Sequence, residues 1–239
     1  MENIMNNVME SSVLIVAALS AGVLHTVFGP DHYLPFVGVS QAEQWSLKKT
    51  TAITLIAGAL HVGSAALLSF AAVWLGNLLM PETLSWLEDA RGQMAAWLLM
   101  GLGLAYLLWG VRHALRARRN DGNDPALPSS PTGASSSTVS SLVSLGLMIV
   151  FVVGPCEAFV PLLLLPQVQA SAGMMTLVTA VFGASTLLTM TALTLAGRYG
   201  VQSLVRRVPG GVLLAKRYAH IAAGSVMLMA GAAVQFLGL

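Results

Sequence analysis

The sequence predicts an all-α, polytopic membrane protein in which six transmembrane helices form two inverted three-helix repeats, with helices 1 and 4 broken. Composition is the first reason. The chain of 239 residues is 56% hydrophobic and 9% charged, with a mean hydropathy of +0.75, whereas soluble domains carry about 25% charged residues. Because a surface in water needs those charges, this composition excludes a soluble enzyme, a disordered protein and a nucleic-acid binder. We therefore expect a lipid bilayer around the chain, no enzymatic activity and no nucleic-acid partner.

The length of the apolar stretches is the second reason. A helix needs about 20 apolar residues to cross a bilayer, and six stretches meet this requirement. They are 11–30 (continuing less cleanly to about 40), 50–79, 93–112, 139–166, 172–197 and 217–238. Strands of a membrane β-barrel would instead alternate in polarity over about ten residues. The continuous runs therefore favour helices.

The distribution of basic residues predicts the orientation of these spans. Eleven of the twelve lysines and arginines follow spans one, three and five, and only Arg91 lies elsewhere. Because cytoplasmic loops are enriched in these residues, the three odd-numbered loops are predicted to be cytoplasmic. Both termini then lie outside, in a membrane of the bacterial cytoplasmic (inner) type.

A polar segment divides the chain near its middle. Residues 114–138 contain three prolines and a run of three serines, a composition typical of a flexible linker. The sequence therefore predicts a first three-helix repeat over 1–113, a flexible cytoplasmic linker over 114–138 and a second three-helix repeat over 139–239.

The two halves also share a pattern, which is the third reason for the fold. The segments Gly29–Pro35 and Gly154–Pro161 both contain Gly-Pro, then an acid, then a proline four residues after that acid. The acids lie 126 residues apart, Gly58 and Gly183 lie 125 apart, and a Gly-x6-Gly pair recurs after 121 residues. Since each unit has three spans, the second unit must enter the membrane from the opposite side. Inverted repeats of this kind are typical of secondary transporters, whose binding sites lie at interrupted helices.

The prolines predict where helices 1 and 4 break. Proline has no N–H to donate and clashes with the carbonyl four residues earlier, so Pro30 would free the carbonyl of Thr26 and Pro155 that of Phe151. Of the ten acids, only Asp31 and Glu157 fall inside predicted spans. A charged aspartate near the bilayer centre costs about 2.5–3.5 kcal/mol. A cation, a proton or a fixed partner must offset that cost.

Three of the five histidines, His25, His32 and His61, also lie in predicted spans. Because His25 and His32 are seven residues apart, an unbroken helix would present them on one face. Imidazole with carboxylate suits nickel, cobalt, zinc or iron(II) better than magnesium or calcium. Cys156, the only cysteine, is either a soft ligand or a small packing residue. The predicted metal site is listed in full as His25, Asp31, His32, His61, Cys156 and Glu157.

The other two histidines, His113 and His220, lie beside basic ends of predicted spans. We predict that both are interfacial residues on the cytoplasmic side.

The segment from His25 to His32 resembles a signature of the nickel/cobalt transporter superfamily. Nickel/cobalt permeases carry His-x4-Asp-His in an early transmembrane helix, and this chain has His-x5-Asp-His. Over nearly its whole length the chain is most similar to the urease-accessory-type, HupE-like and sulfite-exporter-like six-helix transmembrane proteins of the same broad group. The resemblance implies that His25, Asp31 and His32 are metal ligands.

The leading functional prediction is a secondary transporter of a divalent transition-metal cation. The transported substrate would be nickel or cobalt, no resident cofactor is expected, and a homodimer or a metallochaperone is a candidate partner. An anion or small organic-solute exporter is the alternative, because helix N-termini at the breaks would suit an anion. No lysine or arginine lies deep in a predicted span, which argues against that alternative.

A thiol or electron carrier is a third hypothesis. The broken first and fourth helices resemble those of the membrane electron carriers of cytochrome c maturation, which place a reactive cysteine in each. A single thiol at Cys156 cannot close an intramolecular disulfide.

Overall fold

A computed structural model describes residues 2–75, 81–120, 133–156, 158–169 and 171–237. This described part of the chain is helical and contains no β-strand. The helices, in chain order, are α1 (Glu2–Phe28), a short 3-10 helix (Pro30–His32), α2 (Leu34–Ala42), α3 (Leu47–Leu75), α4 (Pro81–Asn120), α5 (Gly133–Val153), α6 (Phe159–Leu163), α7 (Pro166–Gln169), α8 (Ala172–Arg207) and α9 (Gly211–Leu237).

Five helical segments are long and apolar enough to cross a membrane. They are Met9–Phe28, Leu47–Ala71, Trp86–Arg116, Ala172–Arg207 and Arg217–Leu237. Large apolar side chains of these segments are exposed, including Leu67, Trp97, Leu188 and Met229. In a soluble protein so much exposed apolar surface would favour aggregation, whereas in a bilayer it faces lipid. Length, composition and surface thus indicate an integral membrane protein of the all-helical class.

The fourth predicted span, 139–166, is interrupted in the structure. Helix α5 ends at Val153, and its apolar part, Thr138–Val153, is shorter than a full span. The chain then passes Gly154 and Pro155 before α6 begins at Phe159. Proline 155 has no N–H with which to continue the helix. A membrane crossing by this segment stays a prediction.

Both Gly-Pro pairs interrupt the α-helices, as predicted: each follows directly after the last residue of an α-helix, and Pro30 begins the short 3-10 helix. In the first half the last helical bond runs from the Gly29 N–H to the His25 carbonyl (3.0 Å). The corresponding bond of the second half runs from the Gly154 N–H to the Val150 carbonyl (2.8 Å). The chain leaves the helix at the same point of the two motifs. Each break exposes backbone groups that the surrounding helices must satisfy.

The long helices α4 and α9 pack antiparallel through glycines. A side chain on Gly103 would overlap the backbone of Leu228, and one on Gly224 would overlap the backbone of Leu107. Absence of a Cβ is what allows the two helix axes to approach closely here. Around this pair, α1 packs on α8, α3 packs on α5 and α8, and α2 packs on α9.

Two further glycines continue this helix pair at its ends. Gly110 of α4 lies against the backbone of Ile221, and Gly231 of α9 lies against Ala96 and Met100. The Gly-x6-Gly spacing in the sequence therefore corresponds to the interface between α4 and α9.

The helices extend into both ends of the predicted linker 114–138. Helix α4 continues to Asn120, and α5 begins at Gly133. The remaining residues of that segment, 121–132, lie outside the described residues.

Candidate functional site

The three histidines of the predicted spans meet in one cluster. The ring centroids of His25 and His32 are 4.5 Å apart, those of His32 and His61 are 5.2 Å apart, and those of His25 and His61 are 6.3 Å apart. His25 lies in the last turn of α1, His32 in the 3-10 helix after the break, and His61 in α3. The predicted break separates the helix of His25 from the 3-10 helix of His32. Contact of the two rings therefore comes from the conformation of the break and not from a shared face of one helix.

The second break contributes Cys156 to the same cluster. Its Sγ lies 3.7 Å from the Nε2 of His25. One potential ligand atom from each of His25, His61 and Cys156 lies within 4.8 Å of the other two. Cys156 is fully buried. The first half of the chain thus supplies imidazoles and the second half supplies a sulfur.

The hydrogen bond of His61 determines which of its nitrogens is available. Its Nδ1 lies 3.1 Å from the carbonyl oxygen of Phe151. Since a carbonyl only accepts, Nδ1 carries the hydrogen and Nε2 holds a lone pair. That Nε2 is buried and has no hydrogen-bond partner among the described residues. The carbonyl of Phe151 is the one that Pro155 was predicted to free, so the second break orients a histidine of the first half.

His32 is oriented in a similar way by its neighbours in the first break. Its Nδ1 lies 3.1 Å from Oδ1 of Asp31 and 3.2 Å from the carbonyl oxygen of Gly29. Its Nε2 is buried and, within the described ranges, without a partner. A histidine whose outer nitrogen donates to a carboxylate or carbonyl is the usual arrangement of a metal ligand, because the contact fixes the tautomer and the ring.

Of the six residues predicted to bind metal, four meet in the cluster. They are His25, His32, His61 and Cys156. The contact recorded for Asp31 is with His32, which gives this carboxylate an orienting position beside the cluster. Glu157 lies outside the described residues.

A cavity of about 260 Å³ adjoins the cluster. Its polar wall is formed by His25, Asp31, His32 and His61, and its opposite wall by small and apolar residues of α4 and α9. In bulk liquid a water molecule occupies about 30 Å³, so the cavity has room for an ion with several waters. The cavity therefore has room for an ion beside the three histidine rings.

Arg91 reinforces the second break, and the sequence analysis missed this role. Its guanidinium donates to the carbonyls of Val152 (3.2 Å), Val153 (3.2 Å) and Gly154 (3.1 Å). It also pairs with Oε1 of Glu88 at 2.9 Å. These bonds satisfy the carbonyls at the end of α5, immediately before Cys156. The available signal was that Arg91 alone lay outside the basic loops.

A second arginine, Arg198, supports the end of α2. It is buried and donates to the carbonyl of Ser40 (3.1 Å), the hydroxyl of Thr50 (3.0 Å) and the carbonyl of Trp45. Arg91 and Arg198 both lie within helical segments that are long and apolar enough to cross a membrane, because α8 extends past residue 197 and α4 begins before residue 93. Both guanidinium groups donate hydrogen bonds to backbone carbonyl oxygens.

A second polar cluster lies away from the cavity. Tyr106 of α4 donates its hydroxyl hydrogen to Oε1 of Glu43 at 2.5 Å, and its oxygen lies 2.8 Å from Nδ1 of His220. The side chains of Glu43 and His220 are 6% and 16% exposed. We call these three residues the tyrosine cluster. His220 thus lies in a hydrogen-bonded group among α2, α4 and α9, and Glu43 is a buried acid that the span count had left in a loop.

Comparisons of the chain with protein-family models, with curated proteins and with solved structures find no match. The functional assignment must therefore come from the chemistry of the site.

Proposed function

We propose that the protein is a secondary membrane transporter of a divalent transition-metal cation, with nickel or cobalt as the leading cargo. The observation that carries this proposal is the group of His25, His61 and Cys156, whose ligand atoms lie within 4.8 Å of one another. The Nε2 atoms of His61 and of the adjoining His32 are buried and have no partner among the described residues. A buried polar atom without a partner is energetically costly. A metal ion that accepts these lone pairs would remove that cost.

The kinds of donor atom favour a particular class of metal. Imidazole nitrogen and thiolate sulfur suit nickel, cobalt, zinc and copper, whereas magnesium, calcium and manganese prefer oxygen. The resemblance of the His25–His32 segment to the nickel/cobalt permeases agrees with this class. Cys156 makes the donor set softer than histidine and carboxylate alone. We therefore expect manganese and magnesium to be rejected.

The contacts of α4 and α9 support the proposed architecture of six spans in two inverted repeats. Gly103 lies 121 residues before Gly224, and Leu107 lies 121 residues before Leu228. The contact of Gly103 with Leu228 therefore maps onto the contact of Leu107 with Gly224. A twofold axis that relates two repeats produces this pattern, in which the two contacting residues exchange places under one constant offset. A transport site between inverted repeats is a common arrangement.

We propose the orientation in the membrane from the basic loops. Both termini lie outside and the odd-numbered loops face the cytoplasm, in a membrane of the bacterial cytoplasmic type. An anion exporter is a weaker alternative, because Arg91 and Arg198 donate to backbone carbonyls. A thiol carrier would need a second cysteine.

The experiment is a metal panel on purified protein in detergent. Thermal unfolding is measured with nickel, cobalt, zinc, copper, manganese and magnesium, because a ligand that binds only the folded state raises stability by about 2.7 kcal/mol at a hundredfold excess over Kd. We expect stabilisation by nickel or cobalt and none by magnesium. The same ions are then tested for entry into proteoliposomes.

A Cys156→Ser variant tests the sulfur donor in the same panel. We expect it to weaken binding of zinc and copper more than binding of cobalt, because the softer ions depend more on sulfur. No stabilisation of the wild-type protein by any transition metal, together with stabilisation by an anion, would reject metal transport in favour of the exporter.

A further inference from the structure

The tyrosine cluster of Glu43, Tyr106 and His220 lies at a distance from the metal cluster but on the same helix. Helix α2 begins two residues after His32 and ends one residue before Glu43. Its nine residues span about 14 Å. On α4, Leu99 lines the cavity, and Tyr106 follows about 10 Å further along the axis. One short helix therefore connects the two clusters, and the tyrosine cluster lies toward the side that carries Lys48 and Lys49.

The hydrogen bonds of this cluster form a chain with a defined direction. The Tyr106 hydroxyl has one hydrogen, and the carboxylate of Glu43 can only accept it. The bond between Tyr106 and His220 therefore uses the Nδ1–H of His220 as donor. A proton that binds at Nε2 of His220 can then be passed on: the tyrosine hydrogen moves to Glu43 and the Nδ1 hydrogen moves to Tyr106, which leaves a neutral imidazole and a protonated Glu43. Tyr106 carries the same number of protons as before, and each hydrogen bond still joins the same two heavy atoms.

The charged and titratable groups around the cluster do not take up this proton, which is therefore shared between Glu43 and His220. From α4, the rings of Trp109 and His113 lie 4.8 Å and 5.8 Å from the ring of His220. Nearby cations are already engaged: Arg198 of α8 donates to Ser40, Trp45 and Thr50, and Lys49 of α3 donates to Ser140. A carboxylate at this depth needs a proton or a cation to offset its charge. In this cluster the imidazole of His220 supplies the proton.

The bonding pattern argues against a second metal site. The Tyr106 oxygen lies between Glu43 and His220 and contacts both. The nearest oxygen of Glu43 and the Nδ1 of His220, 3.7 Å apart, are therefore already paired through the phenol. A metal ion would have to break both hydrogen bonds, whereas a proton uses them.

We propose that Glu43, Tyr106 and His220 form the proton-binding site that couples metal movement to the proton gradient, an inference that rests on the proposed transport function. Helix α2 is the connecting element. A metal ion held at His32 fixes the start of α2, and the position of its far end sets the distances from Glu43 to Tyr106 and His220. Protonation of the cluster and occupancy of the cavity then influence each other through one rigid segment.

The test uses the full-length protein in proteoliposomes that contain a metal-sensitive dye and a pH-sensitive dye. Two quantities are measured: metal exchange at equal pH on both sides, and the proton flux that accompanies net metal movement under an imposed pH gradient. For Glu43→Gln we expect metal exchange within about twofold of wild type and a proton flux at least about tenfold lower. Asp89→Asn, which removes an exposed carboxylate of α4, should leave both quantities unchanged.

A second variant covers the case in which Glu43→Gln does not fold. Tyr106→Phe keeps the packed ring and removes only the hydroxyl that joins Glu43 to His220, so it should also lose proton flux and keep metal exchange. Glu43→Asp should recover part of the flux. Elution as a single species and unchanged metal binding at the cavity report that each variant is folded.

The outcomes separate the coupling proposal from the transport proposal. Wild-type metal exchange without accompanying proton flux overturns the coupling site and leaves metal transport standing. Proton flux that stays at the wild-type level in Glu43→Gln or Tyr106→Phe likewise overturns the coupling site and leaves metal transport standing. Equal losses of exchange, flux and stability in both variants would identify the cluster as a structural contact and also overturn the proposal. No metal exchange by the wild-type protein overturns both proposals.

Discussion

The two histidine clusters of this protein differ in how completely the protein satisfies their nitrogens. In the cavity cluster, His32 and His61 each use one nitrogen for an orienting hydrogen bond, and the other nitrogen is buried without a partner in the described part of the chain. In the tyrosine cluster, the phenol of Tyr106 joins Glu43 to His220. The first arrangement invites a ligand that accepts lone pairs. In the second, the acid and the imidazole are already joined through hydrogen bonds to one phenol.

This difference shows why residue type alone does not assign a role to a buried histidine. The sequence places His25, His32 and His61 in spans and His220 near a basic end, whereas the membrane-length helical segments include His25, His61 and His220, and the first of them ends before His32. The hydrogen bond that each ring makes then decides which nitrogen remains available.

Removal of a cavity histidine should have the largest effect. We expect His32→Ala or His61→Ala to weaken nickel or cobalt binding by about 100-fold or more, because a directly coordinating ligand contributes more than the 10–100-fold typical of an outer-shell partner. The measurement is titration calorimetry in detergent. His113→Ala is the matched control, since that ring lies against Trp109 away from the cavity, and its affinity should be unchanged. Equal losses in the control and in His32→Ala would contradict the site.

Neutralisation of Asp31 should have a smaller effect. Asp31→Asn keeps the shape of the side chain and removes the charge that faces Nδ1 of His32. A partner of this kind is worth about 10–100-fold in metal affinity. We expect a loss in that range, with normal expression and an unchanged elution profile. A loss as large as that of His32→Ala would instead show that Asp31 coordinates the ion directly, as the sequence analysis predicts.

The local part of the site could be predicted from the sequence. Because proline cannot donate an N–H, the prolines predict where both helices break. Pro155 also predicts the free carbonyl of Phe151, which lies four residues earlier in the same segment. The long apolar runs give the helices that carry His25 and His61. Each of these inferences needs only the periodicity and the residue types of one segment.

The contacts between helices could not be predicted in the same way. The bonds of Arg91 to Val152, Val153 and Gly154 depend on the register between α4 and α5. No pattern within either segment encodes that register. The tyrosine cluster likewise needs the relative rotation of three helices. The constant offset between the halves was the one long-range signal, and it matches the glycine contacts of α4 with α9.

The smallest expected effect, the pH dependence of metal binding, distinguishes the two clusters from each other and a metal from an anion. Neutral imidazole binds metal and imidazolium does not. We therefore expect nickel or cobalt affinity, measured by calorimetry, to be lower at pH about 5.5 than at pH about 7.5, because protons compete with the metal ion for the imidazole nitrogens. An anion site would bind more tightly at the lower pH, because protonation adds positive charge. In Glu43→Gln the direct competition of protons at the cavity histidines should remain, whereas the part of the pH dependence that arises from protonation of the tyrosine cluster should be lost, because proton binding there and metal binding at the cavity are linked. A pH dependence identical to that of wild type in Glu43→Gln would show that the two clusters are not coupled through α2.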